Sequence, residues 1–353
     1  MSWSPCCTGP QRPASPRSYA DHESVRCAYQ DRQQRIWFGT NHEGVWCWDG
    51  QDFTRYSRQD GLPSDHISAI TEDDVGNLWF ATTRGLSRYD GERFESVAIP
   101  WDGNEDLWGP GLNANVVLCL LCDRRGDVWF GTWGNGAHRF DPSRPRDDGS
   151  YTFSSFLQDR GSTYGEGEHR NAIQSIVEDH DGNVWLTSMS HGGVSRYRDG
   201  SFEHFGIEQG LGDDMVFSAH VDRRGSLWFG MLGNDGVAVA HYDGQRFERY
   251  SVADGLGSNN VVAITELRDG SIWFGSHRSA LSRLRRSGAA PDDGRRIEPV
   301  RIDGRTFERI HFVFEDESGA VWFGGHRGQL FCLRDGERTD HTQKRGSGRR
   351  TKA

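Results

Sequence analysis

The chain has 353 residues and a net charge of −10, and only 35% of its residues are hydrophobic. The negative charge argues against a general nucleic-acid binder. No apolar run reaches the roughly 18 residues that a membrane-spanning helix needs, so we do not expect direct insertion into a membrane. The 45 glycines and 13 tryptophans favour an all-β protein of short strands, tight turns and a few large aromatic side chains.

The two ends of the chain differ in composition from the rest. Residues 1–20 lack the apolar stretch of a secretory signal, and we expect them to form a disordered leader. Residues 339–353 are polar and basic, and we expect a disordered tail. The segment between them, 21–338, is predicted to fold as a single domain. Its closing strand could come from Glu337–Thr342 or from Ser18–Asp21, and the sequence does not decide between them.

Along this segment a five-residue phrase around a tryptophan recurs seven times. The copies read IWFGT, LWFAT, VWFGT, VWLTS, LWFGM, IWFGS and VWFGG, and they contain Trp37, Trp79, Trp129, Trp185, Trp228, Trp273 and Trp322. Their spacing of 42 to 56 residues, with strand-like sequence, is typical of the four-stranded blade of a β-propeller. The sequence therefore predicts a seven-bladed ring in which these tryptophans are buried between blades.

The second copy shows the elements of one blade. An alternating strand at Ile67–Thr71 is followed by an Asp-x-x-Gly turn at Asp73–Gly76, the tryptophan strand, a short loop and a third strand. The pair Asp90–Gly91 then leads into the fourth strand, and we predict a type I′ hairpin for it and for the Asp-Gly pairs of other blades. The Asp-x-x-Gly turn departs from its pattern twice, with Gln34 at the glycine position and Leu267 at the aspartate position.

Two patterns suggest metal sites, but both have a simpler interpretation. The acidic cluster Glu178–Asn183 could be a calcium loop, yet it recurs at one blade position between two strands, which favours turn scaffolding. Cys119 and Cys122 form a CxxC, but a strand places them on opposite faces, which favours core thiols. We therefore predict no metal and no cofactor.

The loops that vary between blades are predicted to share one end of the ring. Strands alternate in direction, so the second-to-third loop and the connection to the next blade lie together, and the tight turns lie at the other end. The variable loops carry histidines, arginines, asparagines and aromatic residues, which suit a polar ligand. The candidate ligand-binding residues are His42, Arg84, Trp101, Trp108, Trp133, Asn135, His169, Arg170, His191, Asn234, His277, Arg278, His326 and Arg327.

The repeats resemble a known family. The segments Ile67–Phe94, ISAITEDDVGNLWFATTRGLSRYDGERF, and Ile173–Phe202, IQSIVEDHDGNVWLTSMSHGGVSRYRDGSF, are similar to the two-component regulator propeller repeat. The resemblance implies a seven-bladed sensor module of signal transduction that stands outside the membrane and binds a glycan or another nutrient. In this family a membrane helix and a histidine kinase or other output domain commonly follow, whereas this sequence shows neither after the ring.

The resemblance also implies partners and a location. We expect a ligand-binding recognition propeller without its own kinase, which binds a glycan or other polar small ligand and acts with a membrane sensor kinase of a phosphorelay. The family resemblance places it in the periplasm or outside the cell. If the chain begins at its true start codon, the lack of a signal in residues 1–20 would instead place it in the cytoplasm.

Two other functions stay open. Streptogramin lyases are also seven-bladed, and their repeats carry a phrase related to this one. Such an enzyme would need a base and metal ligands, which His191, His277, His326 and Glu168 could supply. We see no HExxH, GxSxG, P-loop or dinucleotide motif, and we predict no catalytic residue. A protein–protein scaffold would use the same loop end or the edges of the blades.

Overall fold

The computed structural model describes residues 23–99, 116–158, 170–233, 236–285 and 296–342. In these residues, 28 strands form seven four-stranded sheets, the blades, and within each blade the antiparallel strands follow one another in chain order. The predicted all-β, seven-bladed β-propeller is therefore confirmed. No helix in the described ranges is long and apolar enough to cross a membrane.

The strands are numbered in chain order, four to a blade. Blades 1 to 4 contain β1 (Val25–Gln30), β2 (Ile36–Thr40), β3 (Val45–Trp48), β4 (Phe53–Tyr56), β5 (Ile67–Glu72), β6 (Leu78–Thr82), β7 (Gly85–Tyr89), β8 (Phe94–Val97), β9 (Val117–Cys122), β10 (Val128–Thr132), β11 (Ala137–Phe140), β12 (Ser154–Phe156), β13 (Ile173–Glu178), β14 (Val184–Ser188), β15 (Val194–Arg198) and β16 (Ser201–Phe205). Blades 5 to 7 contain β17 (Val216–Val221), β18 (Leu227–Met231), β19 (Val239–Tyr242), β20 (Phe247–Tyr250), β21 (Val261–Glu266), β22 (Ile272–Ser276), β23 (Ser282–Arg285), β24 (Arg296–Pro299), β25 (Ile310–Glu315), β26 (Val321–Gly325), β27 (Leu330–Arg334) and β28 (Glu337–Asp340). Short 3-10 helices at Arg58–Asp60, Ile207–Gln209 and Val252–Asp254 follow blades 1, 4 and 5.

The first strand of each blade lies nearest the axis of the ring. Adjacent first strands contact each other around the whole ring, and β25 of blade 7 contacts β1 of blade 1. The outermost strand of blade 7 is β28, so the segment around Glu337–Asp340 supplies it. Because every blade consists of four consecutive strands, the ring closes without exchange of a strand. Side chains pack between blades 7 and 1, and the backbone N–H of Gly328 donates to the Glu23 carbonyl at 2.8 Å.

The seven repeat tryptophans lie between blades, as predicted. Each is at most 4% exposed. Trp37 of blade 1 packs on Phe80 of blade 2 with ring centroids 5.9 Å apart, and Trp185, Trp228 and Trp273 form equivalent pairs with the phenylalanine of the next blade. The last such pair, Trp322 with Phe38 at 5.3 Å, closes the ring. Burial of each indole stabilises the ring by about 2–3 kcal/mol.

A hydrogen bond that the sequence analysis did not foresee joins each tryptophan to the turn before it. In six blades the carboxylate of the turn aspartate accepts the indole N–H six residues further on, at 2.7–2.9 Å. In blade 6, where Leu267 replaces the aspartate, the indole of Trp273 donates to the Ser271 hydroxyl at 3.1 Å. The recurring aspartate therefore shapes the turn and also satisfies a buried N–H.

The Asp-Gly turns are of two kinds. Asp199–Gly200 and Asp335–Gly336 have positive φ at both residues, as type I′ requires. In Asp49–Gly50, Asp90–Gly91 and Asp243–Gly244 only the glycine has positive φ, so the type I′ prediction is wrong for these three. Their loops are two residues longer, and each aspartate carboxylate accepts the N–H groups of the residues two and three positions on.

The two patterns that suggested metal sites serve the fold. Asp179 accepts hydrogen bonds from the Trp185 indole at 2.7 Å and the Asn183 amide at 2.8 Å, as turn scaffolding requires. Cys119 packs between blades 3 and 4 and Cys122 between blades 2 and 3, on opposite faces of β9 as predicted. Burial raises the pKa of Cys119 to about 12, so its thiol stays protonated. Within the described part of the chain, no three His, Cys, Asp or Glu side chains are placed to hold a metal ion.

Candidate ligand site at the mouth of the central channel

Each innermost strand carries a β-bulge at its second residue. The register with the neighbouring strand shifts there in all seven blades. A bulge leaves one residue out of the ladder and re-aims its side chain. The residue before each bulge is buried between blades, whereas the bulged residue is only half-buried. We therefore place the bulged side chains around the channel mouth, at the end that carries the variable loops. They are Arg26, Ser68, Leu118, Gln174, Phe217, Val262 and His311.

This ring of bulged residues is chemically uneven. The two basic members, Arg26 and His311, belong to the neighbouring blades 1 and 7. The apolar members, Leu118, Phe217 and Val262, belong to blades 3, 5 and 6. One side of the channel mouth is therefore basic, and much of the remainder is apolar.

A pair of histidines lies at the basic side. His277, from the β22–β23 loop of blade 6, places its Nδ1 3.0 Å from Nε2 of His311, and the two rings meet edge to face with centroids 4.6 Å apart. Burial, with the nearby Arg26, lowers the pKa of His277 to about 3 and that of His311 to about 2. Both imidazoles are therefore neutral at pH 7. Nδ1 of His311 is buried and has no hydrogen-bond partner within the described residues.

Arg26 is the fixed charge at the centre of this group. Its charge acts on His66, His277 and His311, which places all four residues around one site. Burial lowers the pKa of Arg26. In the part of the chain that the structure describes, no carboxylate pairs with its guanidinium and no hydrogen bond compensates it. Burial likewise lowers the pKa of His66 to about 4, with Arg26 and His42 adding to the shift.

Further basic residues border the site. Nη1 of Arg309 lies 3.2 Å from Nε2 of His326, and both residues act electrostatically on His311. Arg278 follows His277 and is exposed. Cationic and neutral nitrogen groups therefore line one side of the channel mouth, the side formed by blades 6, 7, 1 and 2. We call the group Arg26, His42, His66, His277, Arg278, Arg309, His311 and His326 the basic cluster.

The structure brings together some of the predicted site residues and separates others. His42, His277, Arg278 and His326 belong to the basic cluster, and Arg327 is the exposed neighbour of His326. The remaining described candidates lie at the same end of the ring on blades 2 to 4 and are not members of the cluster. They are Arg84, Trp133, Asn135, Arg170 and His191. Trp101, Trp108, His169 and Asn234 lie outside the described residues, as does Glu168.

Contacts between loops show how these outer candidates are held. The backbone N–H of Trp133 donates to the Val116 carbonyl at 3.0 Å, which joins the β10–β11 loop to the segment that enters blade 3. His191 Nδ1 lies 2.8 Å from the Asp214 carboxylate in the connection between blades 4 and 5. Asn135 accepts a hydrogen bond from the Gln158 amide at 2.8 Å. The two sets of variable loops therefore meet at one end, as the strand directions require.

Four members of the cluster were not predicted from the sequence. Arg26 and His311 are bulged residues of inner strands, and His66 and Arg309 immediately precede inner strands. Arg26 and His311 lie within strands, where no binding group was expected, whereas His66 and Arg309 lie in variable connections between blades but were not among the candidates. The signal for Arg26 and His311 is visible in the sequence, because the bulge position varies widely among seven otherwise similar strands.

A second concave surface lies at the opposite end of the ring, between blades 3 and 4. This cleft has a volume of about 680 Å³ and is lined by tight-turn residues and by the side chains of the third strands. Asp123, Arg125, Arg139 and Glu178 give it charges of both signs. This cleft was not predicted from the sequence, because binding groups were expected only among the variable loops.

Comparisons with known proteins agree with the fold. A family model described as two component regulator propeller matches residues 20–42, 61–84, 111–134, 167–190 and 255–278. The sequence has no match among curated proteins. Among solved structures, a catalytically inactive variant of virginiamycin B lyase from Staphylococcus aureus, with quinupristin, is 16% identical with a TM-score of 0.61; the match covers 89% of this chain and 95% of the lyase.

Two extracellular domains from B. thetaiotaomicron are also similar. That of the hybrid two component system BT3049 is 17% identical with a TM-score of 0.61, over 89% of this chain and 46% of that domain. That of the one component system BT4673 is 20% identical with a TM-score of 0.50, over 90% of this chain and 43% of that domain. The chain thus spans less than half the length of each. Identities this low show the fold alone.

Fold and repeats together define a seven-bladed β-propeller. The repeat model matches segments in five of the seven blades, so the chain carries repeats of the two-component regulator propeller type.

Proposed function

We propose that this propeller is a recognition module that binds a polar ligand at the channel mouth and does not convert it. The observation that carries the proposal is the basic cluster, in which residues of blades 6, 7, 1 and 2 lie close enough to influence one another at one side of the channel mouth. The ring of blades is a rigid support, and loops held by such a support are where binding groups usually lie. A glycan is the first ligand class to test, because aromatic, arginine and histidine side chains suit sugars.

The propeller would pass its signal to a partner protein. The family supports a membrane sensor kinase in this role and a position in the periplasm or outside the cell, since the similar B. thetaiotaomicron domains are described as extracellular. A ligand at the axis would contact several blades at once, so its binding can change how the loop end meets a partner.

A streptogramin-lyase-like enzyme is the second candidate. Two observations favour it: the fold is similar to that of virginiamycin B lyase, and neutral histidines lie at the channel mouth. A neutral imidazole can act as a general base. Against it, no three metal-binding side chains converge among the described residues.

One experiment separates the two candidates. The full chain is incubated with a glycan panel and with streptogramin-type lactones, with and without Mg²⁺, and both saturable binding and product formation are measured. Saturable binding without product supports the recognition module. Metal-dependent product that disappears when His277 or His326 is replaced supports the lyase.

Two arginine variants localise the binding surface. Arg278→Ala removes an exposed residue of the basic cluster, and Arg224→Ala removes an exposed arginine from a tight turn of blade 5 at the opposite end. We expect binding to weaken only in the first variant. Equal weakening in both would contradict a site at the channel mouth.

A further inference from the structure

We infer that the basic cluster binds an anionic group, a carboxylate, sulfate or phosphate carried by the ligand, with Arg26 as its principal partner. This inference rests on the proposed function and narrows its ligand class. The strongest observation is that Arg26 is held at a bulge in the channel mouth without a compensating carboxylate in the described residues. A guanidinium in such surroundings is stabilised when an anion pairs with it, often through two parallel hydrogen bonds.

The histidine pair adds a directed donor. In the tautomer in which His277 Nδ1–H donates to His311 Nε2, the proton of His311 is on Nδ1. That atom is the one that is buried without a partner. An anion between Arg26 and His311 would accept its hydrogen bond and remove the cost of an unsatisfied buried group.

The fold explains why these groups converge. Arg26 and His311 occupy the same bulge position in adjacent blades, and the ring closes between those blades. His277 arrives from the neighbouring blade 6 and His66 from blade 2. None of these four side chains is acidic. The rest of an anionic ligand can lie against the apolar bulged residues, of which Phe217 offers an aromatic ring.

The test uses inorganic sulfate and phosphate, and four matched sugars: methyl glucoside, glucuronate, glucose 6-sulfate and glucose 6-phosphate. Binding to the full chain is measured by calorimetry, and the imidazole resonances of His66, His277 and His311 are followed by NMR. We expect sulfate, but not chloride at equal ionic strength, to raise the pKa of these imidazoles by about one unit or more. At least one anionic sugar should bind more tightly than methyl glucoside.

Three arginine variants complete the experiment. Arg26→Gln should weaken anion binding about ten- to hundredfold, Arg26→Lys should retain part of it, and Arg224→Gln should have no effect. The melting temperature of each variant shows whether it is folded. If Arg26→Gln does not fold, two other measurements test the anion site. They are the anion affinity of Arg26→Lys relative to wild type and the effect of sulfate on the wild-type imidazoles.

The outcomes distinguish this inference from the proposed function. Neutral and anionic sugars that bind equally to wild type and to Arg26→Gln would overturn the anion site and leave the recognition module standing. Sulfate that shifts the imidazole pKa values without any sugar binding would support the anion site and contradict a glycan ligand. Imidazole resonances that respond to neither sulfate nor phosphate would overturn the inference.

Discussion

The carboxylate of Asp73 accepts a hydrogen bond from the indole of Trp79, with Oδ2 and Nε1 2.9 Å apart. Both side chains are fully buried. The same carboxylate accepts the side-chain amide of Asn77 and the backbone N–H groups of Val75 and Asn77. One side chain therefore holds the turn between the first two strands and fixes the indole that packs against the next blade.

Replacement of Asp73 by alanine should destabilise the propeller by about 3 kcal/mol, because it leaves a buried indole N–H and several turn donors without an acceptor. The neighbouring Asp74→Ala is the matched control, since the Asp74 side chain is 71% exposed and makes only a surface ion pair with Arg32. It should change the unfolding free energy by less than about 0.5 kcal/mol. Urea unfolding measures both, and equal effects would contradict the role given to Asp73.

Replacement of Trp79 by alanine should cost about 3–5 kcal/mol, because a cavity opens between blades 2 and 3. Trp79→Phe should cost less, since a ring still fills the gap and only the indole N–H is lost. Val75→Ala, at a side chain that is 73% exposed, serves as the control and should be near neutral. A loss for Trp79→Ala no larger than that of the control would show that the repeat tryptophans do not hold blades together.

The fold followed from the sequence because its determinants repeat seven times. A single WF phrase would predict only a strand, but seven copies at blade spacing predict the ring. The indole hydrogen bond escaped notice because the aspartate already had an explanation in the turn. Blade 6 could have revealed it, since Leu267 stands at the aspartate position there and Ser271 becomes the polar partner of Trp273.

The candidate site was only partly predictable. His277 and His326 were predicted because they lie in second-to-third loops, and the alternating strand directions place these loops at one end of the ring. Arg26 and His311 were missed because a regular strand would have alternated their side chains toward the core, and only the bulge turns them toward the axis. That they meet is a property of ring closure, in which residues 285 positions apart become neighbours.

Ring closure offers another test. His341 is buried against Trp322 of its own blade and Trp48 of blade 1, with ring centroids 5.2 and 5.5 Å apart. His341→Ala should therefore destabilise the protein by about 2 kcal/mol. Thr339→Ala, at an exposed position of β28, is the control and should cost about 0.5 kcal/mol or less. If the two variants unfold at the same urea concentration, packing of His341 does not contribute to closure.

The basic cluster also predicts how stability depends on pH. In the folded protein the pKa of His66 is lowered to about 4, that of His277 to about 3 and that of His311 to about 2, mainly by burial. In the unfolded chain each should be near 6.5. Below pH 6.5 the unfolded chain therefore binds more protons than the folded one, so stability is present above that pH and is lost as the pH falls.

The loss of unfolding free energy should be largest between pH 6.5 and 4.5, at up to about 1.4 kcal/mol per pH unit for each histidine. It should be smaller for a histidine whose charged form is stabilised by water in the channel. Urea unfolding at pH 7.0, 6.0 and 5.0 measures the slope. Replacement of His311 by asparagine should make the slope shallower, because one titrating group is removed. His180→Asn, in an exposed turn at the opposite end, should leave it unchanged. A slope that is the same in all three proteins would contradict neutral imidazoles at the channel mouth.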